Sequence, residues 1–486
     1  MVPSLLLFFL LAYTTHNASA DDRPNILLLL TDDQDVVLGS FDHMPHLKTH
    51  LQDKGVTFEN GFVHTPICCP SRSQILTGRY THHGVAHNNS RSGNCYGDEW
   101  IHQIENQHTY AIHAKEAGYH TAYAGKYLNA YGYGDDKKVP PGWDRWFGLV
   151  GNSIYYDYSI IEGGIGKNMM VQHHGKDYAK DYLPDLLFNQ TMKVLDELPE
   201  PWLVVLSWPS PHGPFTPAPW AKDTMAGIKA PRTESYNASS EYQEQKHWLL
   251  RQLNPISNST AAEVDTYYQR RLETLKSVDD HIDKIMSKLD DKGQDPVVVY
   301  TSDNGFQFGQ HRLAMDKRHL YENDIRVPFV VRGPGIPGPR KWSPIVSNID
   351  IAPTFMDIMG LPEAKEGMDG ISFWDYVRGK TDHEFQNRRD LLISYHGEAD
   401  PHCGMADCPP VYDGVWWMPD SFNNTYNCVR TLAVDDDSIY CRFEDDQSFV
   451  EFYDIAQNPH QLANDYPTLN QVERQKYEYR LKELLK

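Results

Sequence analysis

Ile26-Leu27-Leu28-Leu29-Leu30 runs directly into Thr31-Asp32-Asp33, an aliphatic stretch that ends on a hydroxyl and two carboxylates. The same figure recurs along the chain. His120-Thr121-Ala122-Tyr123-Ala124 leads to Gly125-Lys126, Trp202-Leu203-Val204-Val205-Leu206 leads to Pro211-His212, and Val297-Val298-Val299-Tyr300 leads to Thr301-Ser302-Asp303-Asn304. A strand with one wet face alternates apolar and polar residues. These runs do not alternate, so they read as strands of a mostly parallel sheet buried on both faces. Helical stretches lie between them. The clearest covers about residues 262–289, with Tyr267, Leu272, Leu275, Val278, Ile282, Ile285 and Leu289 at three- and four-residue spacing. In open α/β sheets of this kind, sites collect at the carboxyl ends of the strands. The polar groups that end the four runs are therefore expected to converge.

After about Arg378 the apolar runs shorten and cysteines become denser. The reading is a large α/β domain over residues 21–378 and a small antiparallel C-terminal domain over 379–486. Phe449-Val450-Glu451-Phe452-Tyr453-Asp454 has the aromatic and β-branched content of a short strand in that tail.

The 486 residues are 40% hydrophobic and 12% aromatic, a composition that excludes a disordered, collagenous, coiled-coil or polytopic membrane chain. A net charge of -21 argues against nucleic-acid binding. Leaving out His16 of the leader, protonation of the other 22 histidines would take that charge from -21 to +1, which suits an anionic substrate met at acid pH. Residues 1–20 read as a signal peptide, with an apolar core at 5–12 too short to span a bilayer and the small-residue site Ala18-Ser19-Ala20. Asn-x-Ser/Thr sequons follow at Asn88, Asn189, Asn237, Asn258 and Asn423, marking a glycosylated chain of the secretory pathway. No later stretch has the length of a membrane span.

Seven cysteines leave one unpaired in an oxidising compartment. Cys403, Cys408, Cys428 and Cys441 lie close enough for two local disulfides, and Cys69 with Cys95 is one further pairing among the fifteen open to six cysteines. Cys68 is then left over.

Cys68-Cys69-Pro70-Ser71-Arg72, followed by Leu76-Thr77-Gly78, fits the pattern Cys-x-Pro-Ser-Arg-x-x-x-Leu-Thr-Gly at every specified position. By that motif the chain resembles the formylglycine-dependent sulfatases. The resemblance implies an alkaline-phosphatase-like fold and oxidation of Cys68 to formylglycine by a formylglycine-generating enzyme during secretion. The aldehyde hydrate carries two hydroxyls on one carbon. One attacks sulfur to give a sulfated enzyme, and loss of the other's proton expels sulfate. Independently of any family, Asp32, Asp33, Asp303 and Asn304 are hard oxygen donors that suit Ca²⁺ or Mg²⁺ and disfavour zinc. The resemblance places the metal ligands on these four and on residue 68. It also implies that Arg72 orients the hydrate, that Lys126 and Lys317 hold sulfate oxygens, and that His212 protonates the leaving alcohol, a step an unactivated sugar alkoxide needs. His82, His83 and His311 are the other histidines open to that role.

Within the family the resemblance is to the exo-acting glucosamine 6-sulfatases. It is carried by Leu30-Thr31-Asp32-Asp33-Gln34-Asp35, Gly125-Lys126-Tyr127-Leu128-Asn129, Lys246-His247-Trp248-Leu249-Leu250-Arg251-Gln252, Asp324-Ile325-Arg326-Val327-Pro328 and residues 423–431. Leu128 stands where arylsulfatases typically carry histidine. Asn129 joins Lys126, His212 and Lys317 as a candidate substrate contact. The implied reaction is removal of 6-O-sulfate from non-reducing-end N-acetylglucosamine of heparan or keratan sulfate, in the lysosome or, alternatively, outside the cell. One segment departs from the pattern: Phe306-Gln307-Phe308 follows Asn304-Gly305 where those enzymes have Tyr-His, and the histidine is displaced to His311. An arylsulfatase or an endo-acting sulfatase is the alternative. The long basic insertion of endosulfatases is missing from this sequence. A phosphatase with these metal ligands would carry Ser or Thr at position 68.

Overall fold

The four apolar runs are neighbouring strands of one sheet. β1 (Ile26–Thr31) lies between β8 (Val297–Ser302) and β7 (Trp202–Ser207), and β7 pairs in turn with β3 (His120–Lys126), every pairing parallel. Each residue of β1, β7 and β8 is buried, as the lack of alternation in their sequences requires. The computed structural model describes residues 23–134, 137–398 and 420–486, together with the backbone of 411–412 and 415–416.

Six further strands extend this centre to a ten-stranded sheet. Its order is β10 (Arg340–Ser347), β2 (Val56–Phe62), β9 (Phe329–Arg332), β8, β1, β7, β3, β4 (Arg145–Leu149), β5 (Tyr158–Gly163) and β6 (Met170–His174). β9 and β5 run against their neighbours; the other pairings are parallel. The added strands are less uniform: β2 has Glu59 and Asn60 in its middle and β6 is mostly exposed, while β9 is buried throughout but only four residues long.

The pleat sends alternate residues to opposite cores. Leu27, Leu29, Val204 and Leu206 pack with Leu272, Leu275, Val278, Ile282 and Ile285 of the long helix Asn258–Asp291. Ile26, Leu28, Leu203 and Val205 pack on the other side with Phe355 and Met356 of the helix Ile351–Met359. At about 1.5–3 kcal/mol per fully buried aliphatic side chain, these two layers hold the strand ends rigid. The long helix begins earlier than its apolar periodicity indicates, because the Ser257 hydroxyl accepts from the Thr260 N–H and caps it ahead of the first apolar turn.

A second, antiparallel sheet is formed by β11 (Asp390–Tyr395), β14 (Tyr426–Ala433), β15 (Asp436–Phe443) and β16 (Val450–Asp454), the last lying where the Phe449–Asp454 sequence reads as a strand. β12 (Val411–Tyr412) and β13 (Val415–Trp416) pair as a separate two-stranded antiparallel sheet. The helix Gln471–Leu484, started by an Asn470–Glu473 capping box, packs its Tyr477 and Leu481 into the core of the four-stranded sheet. That core also takes in Phe62, Ile67, Leu320, Tyr321 and Ile325, so the small sheet is fused to segments that lead into the strand-end site.

Cys69–Cys95 and Cys428–Cys441 are disulfides, the second joining facing residues of β14 and β15, and Cys68 is a buried free thiol. Cys403, Cys408 and the leader 1–20 lie outside the described residues. Among the described residues no helix is long and apolar enough to cross a membrane. Of the sequon asparagines, Asn189 and Asn258 are exposed, and Asn88, Asn237 and Asn423 are half-buried.

Candidate active site

β1 and β8 end in register, Thr31 beside Ser302, so Asp32-Asp33 and Asp303-Asn304 leave the sheet side by side. All four are buried. Asp33 bends back at φ 68°, a left-handed conformation that costs a non-glycine residue energy, and its N–H is held by the Asp303 carboxylate at 3.0 Å. The Asn304 amide donates to Asp33 Oδ1 at 2.7 Å. Its own Oδ1 is buried with no hydrogen-bond partner.

Cys68 is the first residue of the ten-residue helix Cys68–Thr77, whose N-terminal end faces these carboxylates and which stops at Gly78, in the left-handed region at φ 68°. Asn348 anchors the helix from outside, donating to the Ser71 hydroxyl at 2.9 Å and to Gln74 at 3.0 Å. The Cys68 Sγ lies 3.7 Å from Asp32 and 4.0 Å from Asp33. Burial pushes its thiol up to about 12, so the unmodified side chain is neutral and a poor nucleophile.

Three cations close the cluster. Lys126, at the end of β3, donates to Asp32 at 2.8 Å, and the Ser153 hydroxyl donates to the same carboxylate oxygen. Lys317 lies 2.8 Å from both oxygens of Asp33. Arg72 is fixed by Asp303 at 2.7 Å and by Ser207 Oγ and the Lys126 carbonyl at 2.8 Å, while its remaining nitrogen, 3.5 Å from Asp32, makes no hydrogen bond. His212 comes from the loop after β7; its Nε2 stands 3.8 Å from Asp33, and its Nδ1 is 2.6 Å from the Gly213 carbonyl.

The charges set one another. Burial works to raise the Asp32 and Asp33 carboxyls, but the surrounding Lys126, Lys317 and His212 hold both below the usual carboxylate range. Burial wins at Asp303, which is raised to about 7 even with Arg72 beside it. It also lowers His212 from the ordinary histidine value. Three buried carboxylates in one place are costly unless something else completes the site. The donors present are carboxylates and an unpartnered amide oxygen, a set that could hold a hard divalent cation. Ligand atoms of Asp32, Asp33, Cys68 and His212 all lie within 4.8 Å of one another.

The structure thus brings together Asp32, Asp33, Cys68, Arg72, Lys126, His212, Asp303, Asn304 and Lys317. Asn129 is buried nearby in sequence, its Oδ1 unpartnered, and makes none of the cluster's hydrogen bonds. The other histidines weighed lie elsewhere: His83 pairs with Asp369, His82 stacks on Tyr80, and His311 stacks on Tyr321. Sequence reading missed Ser153, Ser207 and Asn348. Nothing local to a lone serine or asparagine marks it, and each reaches the site only through the sheet and its loops.

A buried nucleophile position facing clustered carboxylates and cations at the strand ends of a mostly parallel sheet is the site of a hydrolase of anionic esters. The sulfatase family model matches residues 24–361, and the chain belongs to the sulfatase family. It is 39% identical over 482 residues to the N-acetylglucosamine-6-sulfatases of Capra hircus and Homo sapiens, covering 96% of this chain and 84% and 85% of theirs. An extracellular sulfatase SULF-1 homolog of Drosophila melanogaster is 39% identical over 363 residues, 73% of this chain and 31% of that one. Among solved structures, a protein in complex with its substrate D-glucosamine-2-N,6-O-disulfate superposes with a TM-score of 0.71 at 22% identity, over 95% of this chain and 97% of the other. The phosphonate monoester hydrolase of Agrobacterium radiobacter gives 0.70 at 19% identity, over 95% of each. The fold is therefore the alkaline-phosphatase-like one that the motif implied.

Proposed function

We propose that the chain hydrolyses the 6-O-sulfate of non-reducing-end N-acetylglucosamine residues in glycosaminoglycans. The observation that carries this reading is the site itself, a free Cys68 at a helix N-terminus among acids and cations. Its specificity rests on likeness to N-acetylglucosamine-6-sulfatases over 96% of the chain, against 73% for the extracellular relative.

Oxidised to formylglycine by a generating enzyme, residue 68 supplies a geminal diol, one hydroxyl to attack sulfur and the other to drive sulfate out. Asp32, Asp33, Asp303 and the free Oδ1 of Asn304 would hold Ca²⁺, or Mg²⁺ in its place, which supplies positive charge beside the reacting oxygens. Lys126 and Lys317 sit on the carboxylates at 2.8 Å and can turn a donor to an incoming sulfate oxygen. Arg72, tied down at three acceptors, fixes the orientation of residue 68. His212 keeps Nε2 towards the cluster and delivers a proton from that atom to the departing sugar oxygen. Asn129 lines the sugar side.

The same reading divides the chain at residue 378 into catalytic and C-terminal domains. It assigns glycans to the five sequons and sends the protein through the secretory pathway to the lysosome. Sulfate release at acid pH from two matched oligosaccharides tests it. Release only from the one with terminal N-acetylglucosamine 6-sulfate supports the reading. Equal release when that residue is capped by another sugar makes the enzyme an endosulfatase, and release from neither, with an aryl sulfate still cleaved, removes the specificity.

A further inference from the structure

The segment that follows Asp32-Asp33 runs along the long helix Asn258–Asp291 and is fastened to it turn by turn. Arg271 pairs with Asp35, and the Tyr268 hydroxyl donates to the Leu38 carbonyl at 2.6 Å. Further on, the Asp279 carboxylate accepts from the His46 and Leu47 N–H groups at 3.1 and 2.8 Å, which caps the short helix Pro45–His50. One turn past Asp279 comes Asp283, and one turn past His46 comes His50. Residues four apart share a helix face, so both imidazoles meet Asp283.

His50 Nε2 lies 2.7 Å from Asp283 Oδ1, and His46 Nδ1 lies 3.4 Å from the same oxygen. All three ligand atoms fall within 4.8 Å of one another. An ordinary histidine–aspartate pair needs only one imidazole. Here the second ring is aimed at an oxygen already taken, at a distance too long for a good hydrogen bond. Lys48 of the same short helix pairs with Asp53 at 2.6 Å.

We propose that His46, His50 and Asp283 bind one Zn²⁺ ion, with a fourth position open to water. Two imidazoles and a carboxylate suit zinc, whereas the all-oxygen set at the strand ends suits calcium, so the two sites select different ions. Capping by Asp279 sets the register of the helices before any ion arrives, and little side-chain ordering is left to pay. The ion would clip the far end of the Asp32–His50 segment to the long helix and stabilise the fold without entering sulfate chemistry.

Zinc titration by calorimetry at neutral pH tests this on the full glycosylated chain, with saturating Ca²⁺ present. The expected result is one Zn²⁺ per chain in the wild type, lost in His50→Ala and Asp283→Asn and weakened roughly tenfold or more in His46→Ala. Zinc should also raise the wild-type melting temperature by on the order of 2 °C and leave Asp283→Asn unmoved. Asp283→Asn keeps an acceptor for His50, and melting in chelator identical to wild type certifies its fold; His46, half exposed, provides a second variant, with sulfatase activity unchanged. Anomalous scattering at the zinc edge should place the ion between the three side chains. Titrations that superimpose for wild type and the variants, or zinc found only beside Cys68, would overturn the proposal.

Discussion

At the ends of β1 and β8, Asp32, Asp33 and Asp303 are buried against one another, with Arg72, Lys126 and Lys317 around them. Under the C-terminal sheet, charge is buried just as deeply but in a different pattern. Arg430 faces Glu322 at 2.8 Å and Asp437 at 2.6 Å, His247 faces Asp445 at 3.2 Å, and Lys246 donates to the Tyr453 hydroxyl at 2.7 Å close to Glu451. There each cation has its own anion or acceptor, and the result is a joint between two sheets. At the strand ends like charges converge, Asp33 is held in a left-handed turn, and the amide oxygen of Asn304 and a nitrogen of Arg72 are left without partners. Convergence of like charge is destabilising in itself, and its persistence points to a ligand that completes it. Pairing without such convergence points to structure.

Substitutions should separate the two regions. Cys68→Ala is expected to lower kcat by on the order of 10⁴ or more while leaving the melting temperature near wild type, and Cys68→Ser should stall after a single sulfation, seen as a stable mass increment on the protein. His212→Ala should cost roughly 10²–10⁴ in kcat on the sugar sulfate and much less on an aryl sulfate, whose phenolate leaves without a proton. Retention of full activity on both would remove His212 from the reaction.

The same residue fixes the pH dependence. A general acid works only while protonated, and burial lowers His212 below the ordinary histidine value. The kcat profile should therefore fall as pH rises through that lowered value, with its basic limb on the acid side of a free imidazole. Asp32 and Asp33, held low by their cations, stay charged in that range. A profile flat across it would contradict the assignment.

In the joint the expected effects invert. Lys246→Ala should destabilise the fold by about 1–3 kcal/mol, because the buried Gln461 carbonyl and Tyr453 hydroxyl lose their donor, yet leave kcat per folded molecule unchanged, as denaturation and active-site titration would report. Asn258→Gln, on an exposed helix start, should only remove a glycan and shift electrophoretic mobility.

The strand-end site was legible in sequence because two signals coincide there. Ile26–Leu30 and Val297–Tyr300 announce a sheet buried on both faces, and buried strands must release their polar residues at one edge. Cys68 to Gly78 then gives that edge its chemistry. The joint left no comparable trace. Lys246, Glu322 and Arg430 look like surface charges until the small sheet folds over them, and pairings more than a hundred residues apart, such as Arg430 with Glu322, leave no local pattern. Ser153 and Ser207 escaped for the same reason. β2 was hidden by its polar middle, β6 by its exposure and β9 by its four-residue length, and the start of the long helix by a cap that precedes its apolar stripe.

The account turns on residue 68 being the reacting centre, and the most direct measurement is the mass of the proteolytic peptide that contains it, taken from active secreted protein alongside sulfate release. The expected peptide carries an aldehyde in place of the thiol, with activity proportional to the modified fraction. Full activity in protein whose residue 68 is an unmodified thiol would contradict it.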